Sequence, residues 1–258
     1  MLSAFAAEML AIGLLGAAGL VLAGWGFLKV RRLPFGPVQS AFFGLNYVVC
    51  RIHWRASVSG LICLPDEQGA VIVCNHRCPF DPSFIYLVTN RLVHWMVAKE
   101  YFSKPLCAWF LRLAESIPVG RGGIDTAATK RAIRQVAEGG LLGMFPEGRI
   151  NTTDQTLLPG RAGAALIALK ARVPVVPCYI SGSQFNGSIV GSMLLPAKVH
   201  VKVGEPIDLS PYYGRERDRE VLQELTGRFL KEIARLAGDT DFEPQLAGRL
   251  YKPGLAGG

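Results

Sequence analysis

From Gly69 onward, short apolar runs alternate with longer segments whose apolar residues recur at helical spacing, and no other pattern constrains the fold of this chain more tightly. A short apolar run bounded by turn formers reads as a buried strand. An amphipathic stretch between two such runs is the crossover that parallel pairing requires. The pattern predicts strands over Ala70–Cys74, Val93–Ala98, Ile117–Val119, Leu141–Phe145, Val175–Ile180 and Val199–Val203. It predicts helices over Pro82–Val88, Lys104–Ala114, Thr126–Glu138, Gly163–Ala171 and Arg219–Ala237, with Asp125 capping the third and Gly139–Gly140 ending it. The fold class is therefore α/β, a single domain over residues 61–240 on a largely parallel sheet flanked by helices. No internal repeat is present, and residues 241–258, rich in Gly and Pro, read as a loosely ordered tail.

Ahead of this domain, Met9–Leu28 runs twenty residues without a charge. At about 1.5 Å per residue it can cross a hydrocarbon core of about 30 Å. Residues 1–32 thus read as a membrane anchor helix, the alternative being a helix in the interface or a hairpin entering one leaflet. A secretory signal wants positive charge before its apolar run, whereas Met1–Leu10 carries only Glu8. Lys29, Arg31 and Arg32 follow the run instead, which by the positive-inside rule puts the rest of the chain on the cytoplasmic face. Val38–Cys50 is a second apolar stretch, too short to span, so residues 33–60 read as a membrane-proximal segment. Between Lys29 and Gly60 stand five Lys or Arg residues and no acid.

Composition agrees with this division. With 50% apolar and 19% charged residues, the chain is neither disordered nor a disulfide-dependent scaffold. Its net charge of +8 and mean hydropathy of +0.28 point to an anionic membrane surface. Charge alone would also suit nucleic acid, but no recognised nucleic-acid motif occurs, and none is expected as a partner. The six cysteines lack paired spacing, and Cys74, His76 and Cys78 alternate with no fourth ligand in reach. No metal and no resident cofactor are expected, and the thiols fit a reducing compartment.

Four short features fall at the ends of predicted strands, where open α/β sheets place their sites. The first is Asn75-His76-Arg77-Cys78-Pro79-Phe80-Asp81. On a helix, five steps of about 100° would leave His76 and Asp81 about 140° apart, so they meet only if the chain turns at Pro79. A carboxylate on one imidazole nitrogen leaves the other as a base, so the pair suits deprotonation of a hydroxyl. The plainer reading is Asp81 as a helix N-cap with a bystander histidine. The second feature, Val119 to Asp125, is a glycine-rich bend with Arg121 beside a helix start, which suits a phosphate but equally an ordinary turn. The third is Phe145-Pro146-Glu147-Gly148-Arg149, an acid and a base beside a permissive glycine. The fourth is the proline-bracketed strand Val173-Pro174-Val175-Val176-Pro177.

In this order and spacing the four features resemble the glycerolipid acyltransferase family, the 1-acyl-sn-glycerol-3-phosphate acyltransferase-like enzymes with a His-x-x-x-x-Asp motif. The resemblance covers about Ala70 to Ser181 and implies His76 as general base with Asp81 orienting it. It further implies Arg121, Glu147, Gly148 and Arg149 as substrate-binding residues, and Asn75, Phe145, Pro146 and Pro177 as structural members of the motifs. Two positions depart from the pattern. Cys78 stands where many members have serine, and Gly148-Arg149-Ile150 stands where others read Gly-Thr-Arg.

The implied reaction is direct attack of a lysolipid hydroxyl on an acyl thioester, with His76 taking the proton and no acyl-enzyme formed. The implied partners are the bilayer, a lysophospholipid acceptor, first 1-acyl-sn-glycerol-3-phosphate, and acyl-CoA or acyl carrier protein as donor. Another lysophospholipid, an aminoacyl lipid precursor, or a non-catalytic lipid-binding relative are the alternatives. A serine hydrolase finds no Gly-x-Ser-x-Gly elbow in this chain.

Overall fold

All five residues of Ala70–Cys74 (β2) are buried, as only a central strand covered on both faces can be. The computed structural model describes residues 36–103, 105–120 and 125–248. The chain divides into two compact units, Met1–Tyr47 and Val48–Gly258, and the sheet belongs to the second. A helix, Pro37–Ile52 (α1), runs through the division. The sequence-predicted anchor at Met9–Leu28 lies outside the described residues. Among the described residues, no helix is long and apolar enough to cross a membrane.

Within the second unit the strands are Ser57–Ser59 (β1), β2, Val93–Ala98 (β3), Ile117–Val119 (β4), Leu141–Met144 (β5), Val175–Ser181 (β6) and His200–Val203 (β7). They form one sheet in the order β1-β7-β6-β2-β5-β3-β4. Every pairing is parallel except β6 with β7, so β1 and β7 run against the other five. The expected α/β architecture on a largely parallel sheet is the one found. The intervening helices are Asp81–Ile85 (α2), Pro105–Leu113 (α3), Thr126–Ala137 (α4), Gly163–Ala171 (α5), Ile189–Leu194 (α6) and Arg219–Ala237 (α7).

Alternation along β2 divides the core into two layers. Val71 and Val73 face Ala132 and Val136 of α4, the small residues of α5, and Phe229 and Ile233 of α7. Ala70, Ile72 and Cys74 face Trp54, Phe84, Ile85 and Trp95. The chain leaves β2 for β3 on one side and leaves β6 for β7 on the other, and open α/β sheets place their sites beside such a reversal, at the C-terminal ends of the strands.

Two boundaries drawn from the sequence move. β1 lies inside residues 33–60, the stretch read as membrane-proximal, yet it pairs with β7 from Ser57↔His200 to Ser59↔Lys202. Likewise part of the tail is tied down. Gly160 N–H donates to Gln245 O and Ala247 N–H to Gly160 O, both at 2.8–2.9 Å.

Candidate active site

β2 ends in Asn75, whose buried side chain continues the sheet by one rung. Its amide donates to Ile180 O at 2.8 Å, and Ile180 N–H donates to its Oδ1 at 2.7 Å. With the strand end pinned, His76 is held through its backbone on both sides. Its N–H donates to Glu147 Oε1 at 2.8 Å, and its carbonyl accepts from Asn151 N–H at 2.7 Å.

The chain then turns through Pro79 and brings Asp81 back beneath the imidazole. Asp81 Oδ2 accepts from His76 Nδ1 at 3.0 Å, from Arg77 N–H at 2.6 Å and from Cys78 N–H at 2.7 Å. The N-cap reading of Asp81 does not hold. Phe80 occupies that position, and Asp81, 0% exposed, opens α2 facing inward. With its Nδ1–H donated to the carboxylate, the imidazole keeps the lone pair on Nε2, which meets no partner among the described residues. The ring stacks on Phe145 at 3.7 Å and 10°, and Phe145 stacks on Trp95 at 4.9 Å and 21°. This aromatic slab limits rotation of the base.

Cys78 is no competing nucleophile, because burial pushes its thiol up to about 11.

Glu147 does not do what the resemblance implies. It is 3% exposed, and its second oxygen accepts from Leu158 N–H at 2.8 Å, so both oxygens face backbone amides rather than a substrate. Burial, outweighing these amides, pushes its carboxyl up to about 7. Pro146 is buried and its carbonyl accepts from Arg161 N–H at 2.9 Å. Gly148 adopts φ +69°, and a Cβ there would lie 3.1 Å from Arg161 Nε. Gly148 is exposed and Arg149 half-buried on this turn.

Pro177 pairs with Val73 in the parallel ladder of β2 and β6. Val175 N–H donates to Ile207 O, so two residues on, the missing N–H of Pro177 faces the same edge, where Gly204 approaches and no ladder bond is needed.

Past the end of β4, Gly120 and Asp125 are tied together. Asp125 caps α4 as predicted, accepting from Ala128 N–H at 3.0 Å and from Gly120 N–H at 2.9 Å. These amides, with help from Lys99, hold its carboxyl below the usual range. Arg121 lies outside the described residues. Because Asp125 fills the helix start, an anion at this bend depends on cations.

Three contributors escaped the sequence reading. Lys99 Nζ lies 3.9 Å from where a Cβ on Gly120 would sit. Arg77 holds the carbonyls of Asn151, Thr153 and Gln155 and so anchors the loop after Glu147. Trp95 backs the stacked base. Arg77 and Lys99 had a signal, Arg77 being a cation inside the first motif and Lys99 a cation directly after the predicted strand Val93–Ala98.

Fold and site define a class: an α/β protein in which a buried aspartate at the end of a central parallel strand fixes one nitrogen of a histidine and leaves the other open. A model of the acyltransferase family matches residues 55–181. The 1-acyl-sn-glycerol-3-phosphate acyltransferase of Bacillus subtilis (strain 168) is 28% identical over 174 residues, 66% of this chain and 83% of that enzyme. The enzyme of that name from Streptococcus pneumoniae is 26% identical over 176 residues, 67% of this chain and 62% of its own length. The crystal structure of the 1-acyl-sn-glycerophosphate acyltransferase from Thermotoga maritima shares the fold, with a TM-score of 0.54 and 20% identity over 83% of this chain and 89% of that one. Residues 55–181 of this chain match the acyltransferase family, and with these relatives that makes it an O-acyltransferase.

Proposed function

We propose that this enzyme moves a fatty acyl group from acyl-CoA or acyl carrier protein to the free hydroxyl of 1-acyl-sn-glycerol-3-phosphate, giving phosphatidate. The observation that carries the reading is the His76–Asp81 pair at 3.0 Å, which commits Nδ1 and leaves Nε2 as the base. The names of the relatives supply the substrate class.

In the reaction the acceptor hydroxyl gives its proton to His76 Nε2 as its oxygen attacks the thioester carbonyl. The tetrahedral centre then expels the thiolate, the C–S bond breaks, and the imidazolium returns the proton to sulfur. Asp81 stabilises the imidazolium and fixes its orientation. Arg121 and Lys99 at the bend after β4 are the cations for the acceptor phosphate. The anchor at residues 1–32 holds the domain on the cytoplasmic face of the membrane, where acceptor and product reside.

The test uses membranes from cells making wild type or His76→Ala, a labelled acyl thioester and a panel of lysolipids. His76→Ala is expected to lower kcat by about 10³-fold, within the range for loss of a general base. Equal transfer by both proteins overturns the role of His76. Preference for an acceptor lacking a phosphate monoester overturns the choice of substrate.

A further inference from the structure

The short helix α6 turns most of its apolar side chains outward: Val190 is 64% exposed, Met193 45% and Leu194 65%. It is not a frayed end. The Ser188 hydroxyl caps Gly191 N–H at 2.9 Å, and the buried Ser192 hydroxyl donates to Ser188 O at 2.7 Å. Two side chains that follow α1 secure its other end. His53 Nε2 lies 2.9 Å from Met193 O, and Trp54 Nε1 donates to Leu195 O at 3.2 Å. Ile52, next to His53, is 73% exposed, and Val48, one turn earlier on the same side of α1, is exposed as well. Five apolar side chains from segments far apart in sequence are thus held outward by a hydrogen-bonded frame.

The segments that carry this patch hold charges of one sign. No Asp or Glu occurs from Gly36 to Pro65 or from Gly182 to Gly204. Arg55 and Lys198, both exposed, flank the rung where Val199 N–H donates to Trp54 O at 3.1 Å and Ser57 N–H donates to Val199 O at 2.9 Å. A protein-binding patch ordinarily carries a mixed polar rim, whereas apolar side chains on segments whose charges are all cations match an anionic bilayer. Location agrees, since a narrow cavity lined by Trp54, Cys78, Phe84, Ser192 and Leu195 lies between α6 and the turn that carries His76.

We propose that α6 and the end of α1 form a docking surface for an anionic lipid bilayer, separate from the N-terminal apolar run. The apolar side chains enter the interface and Arg55 and Lys198 meet headgroups. Docking there brings the His76 turn to the membrane surface, where a bilayer-resident acceptor can reach it. Only the kinetic arm of the test rests on the acyltransferase reading.

The full chain is reconstituted in phosphatidylcholine vesicles with or without phosphatidylglycerol. Met193→Trp is expected to lose more fluorescence than wild type to lipids brominated near the headgroup. The triple variant Val190→Ser, Met193→Ser, Leu194→Ser is expected to raise KM for a bilayer-resident lysolipid about tenfold. Its kcat/KM for a short-chain, monomerically dissolved lysolipid stays at the wild-type value. Arg55→Ser with Lys198→Ser removes the advantage given by phosphatidylglycerol. No extra quenching of the new tryptophan overturns the proposal. So does a blue-shifted but unquenched tryptophan, which would mean that the patch is covered by protein, whether the N-terminal run or a second copy. If wild type acylates neither acceptor, the functional reading fails while the quenching still decides this one.

Discussion

The turn after β2 and the bend after β4 are built on one plan and put to different uses. Each follows a parallel strand, and each is closed by an aspartate whose Oδ2 reaches back five residues, Asp81 to His76 and Asp125 to Gly120. After β2, Asp81 takes the imidazole of His76 as well as two backbone N–H groups and is fully buried. After β4, Asp125 takes the backbone N–H of Gly120 and of Ala128 and remains partly exposed. The shared closure ties each aspartate back to a residue just past its strand. What makes the first a chemical site is an imidazole at the position where the second has a glycine, and burial that keeps water from competing for the carboxylate.

Removing charge from the buried carboxylate should break this contrast most severely. In Asp81→Asn the amide can still accept from Arg77 and Cys78 through its oxygen. A neutral partner no longer holds the proton on Nδ1, and a tautomer protonated on Nε2 cannot act as base. We expect kcat to fall about 10³-fold with a modest change in Tm, read by single-turnover acyl transfer beside calorimetry. A loss below tenfold would show that Asp81 only shapes the turn, as Asp125 does.

Glu147 is a second feature of the turn after β2, where it accepts from the backbone N–H of His76. Burial raises this group from 4.5 to about 7. Between those values the folded state holds a proton that the unfolded chain has released, so this group's contribution to stability is present below about 4.5 and lost as pH rises to about 7. Glu147→Gln is neutral throughout and should lose that slope. Against the variant, wild type should gain on the order of 3 kcal/mol between pH 8 and pH 4, measured by denaturant unfolding. Parallel curves for the two proteins would mean that the carboxyl titrates as if solvated.

These two carboxylates also mark how far the sequence could be read. β2, β3, β4, α5 and α7 begin and end where the sequence pattern placed them, because apolar runs between turn formers and a long amphipathic helix leave strong patterns. β1 and α6 were not seen. Three residues with an exposed-intermediate-exposed pattern have no apolar run, and six helical residues are too few for a period to show. At the site, the five-residue spacing allowed His76 and Asp81 to meet through a turn at Pro79 but left the N-cap reading open, and the family resemblance favoured the pair. Spacing is silent on which way Glu147 faces. That orientation is set by two amides, of His76 and Leu158, which lie on other segments and are brought to it only by the fold.

A smaller effect is expected where the closing aspartate is partly exposed. Asp125→Ala loses the cap of α4 and the tie to Gly120, and should lower Tm by about 2–4 °C. The acceptor KM should rise less than threefold, because headgroup binding at the bend rests on cations. A larger rise in KM with unchanged Tm would make Asp125 an organiser of the phosphate site.

The finest distinction between the two turns lies in an unused oxygen. Both oxygens of Asp125 accept hydrogen bonds, whereas Asp81 Oδ1 is buried and takes none among the described residues. The Cys78 thiol stands close enough for the Asp81 charge to help raise it, and a thiol is a weak donor. A serine hydroxyl at this position is a stronger donor of nearly the same size. Cys78→Ser should therefore add about 1 kcal/mol of stability by satisfying that oxygen. It should leave kcat within about threefold, since Oδ2 and not Oδ1 holds the imidazole. A loss of stability would mean that the hydroxyl is buried without reaching Asp81. The closure after β2 would then work with one carboxylate oxygen, and its difference from the β4 bend would lie in burial and the imidazole alone.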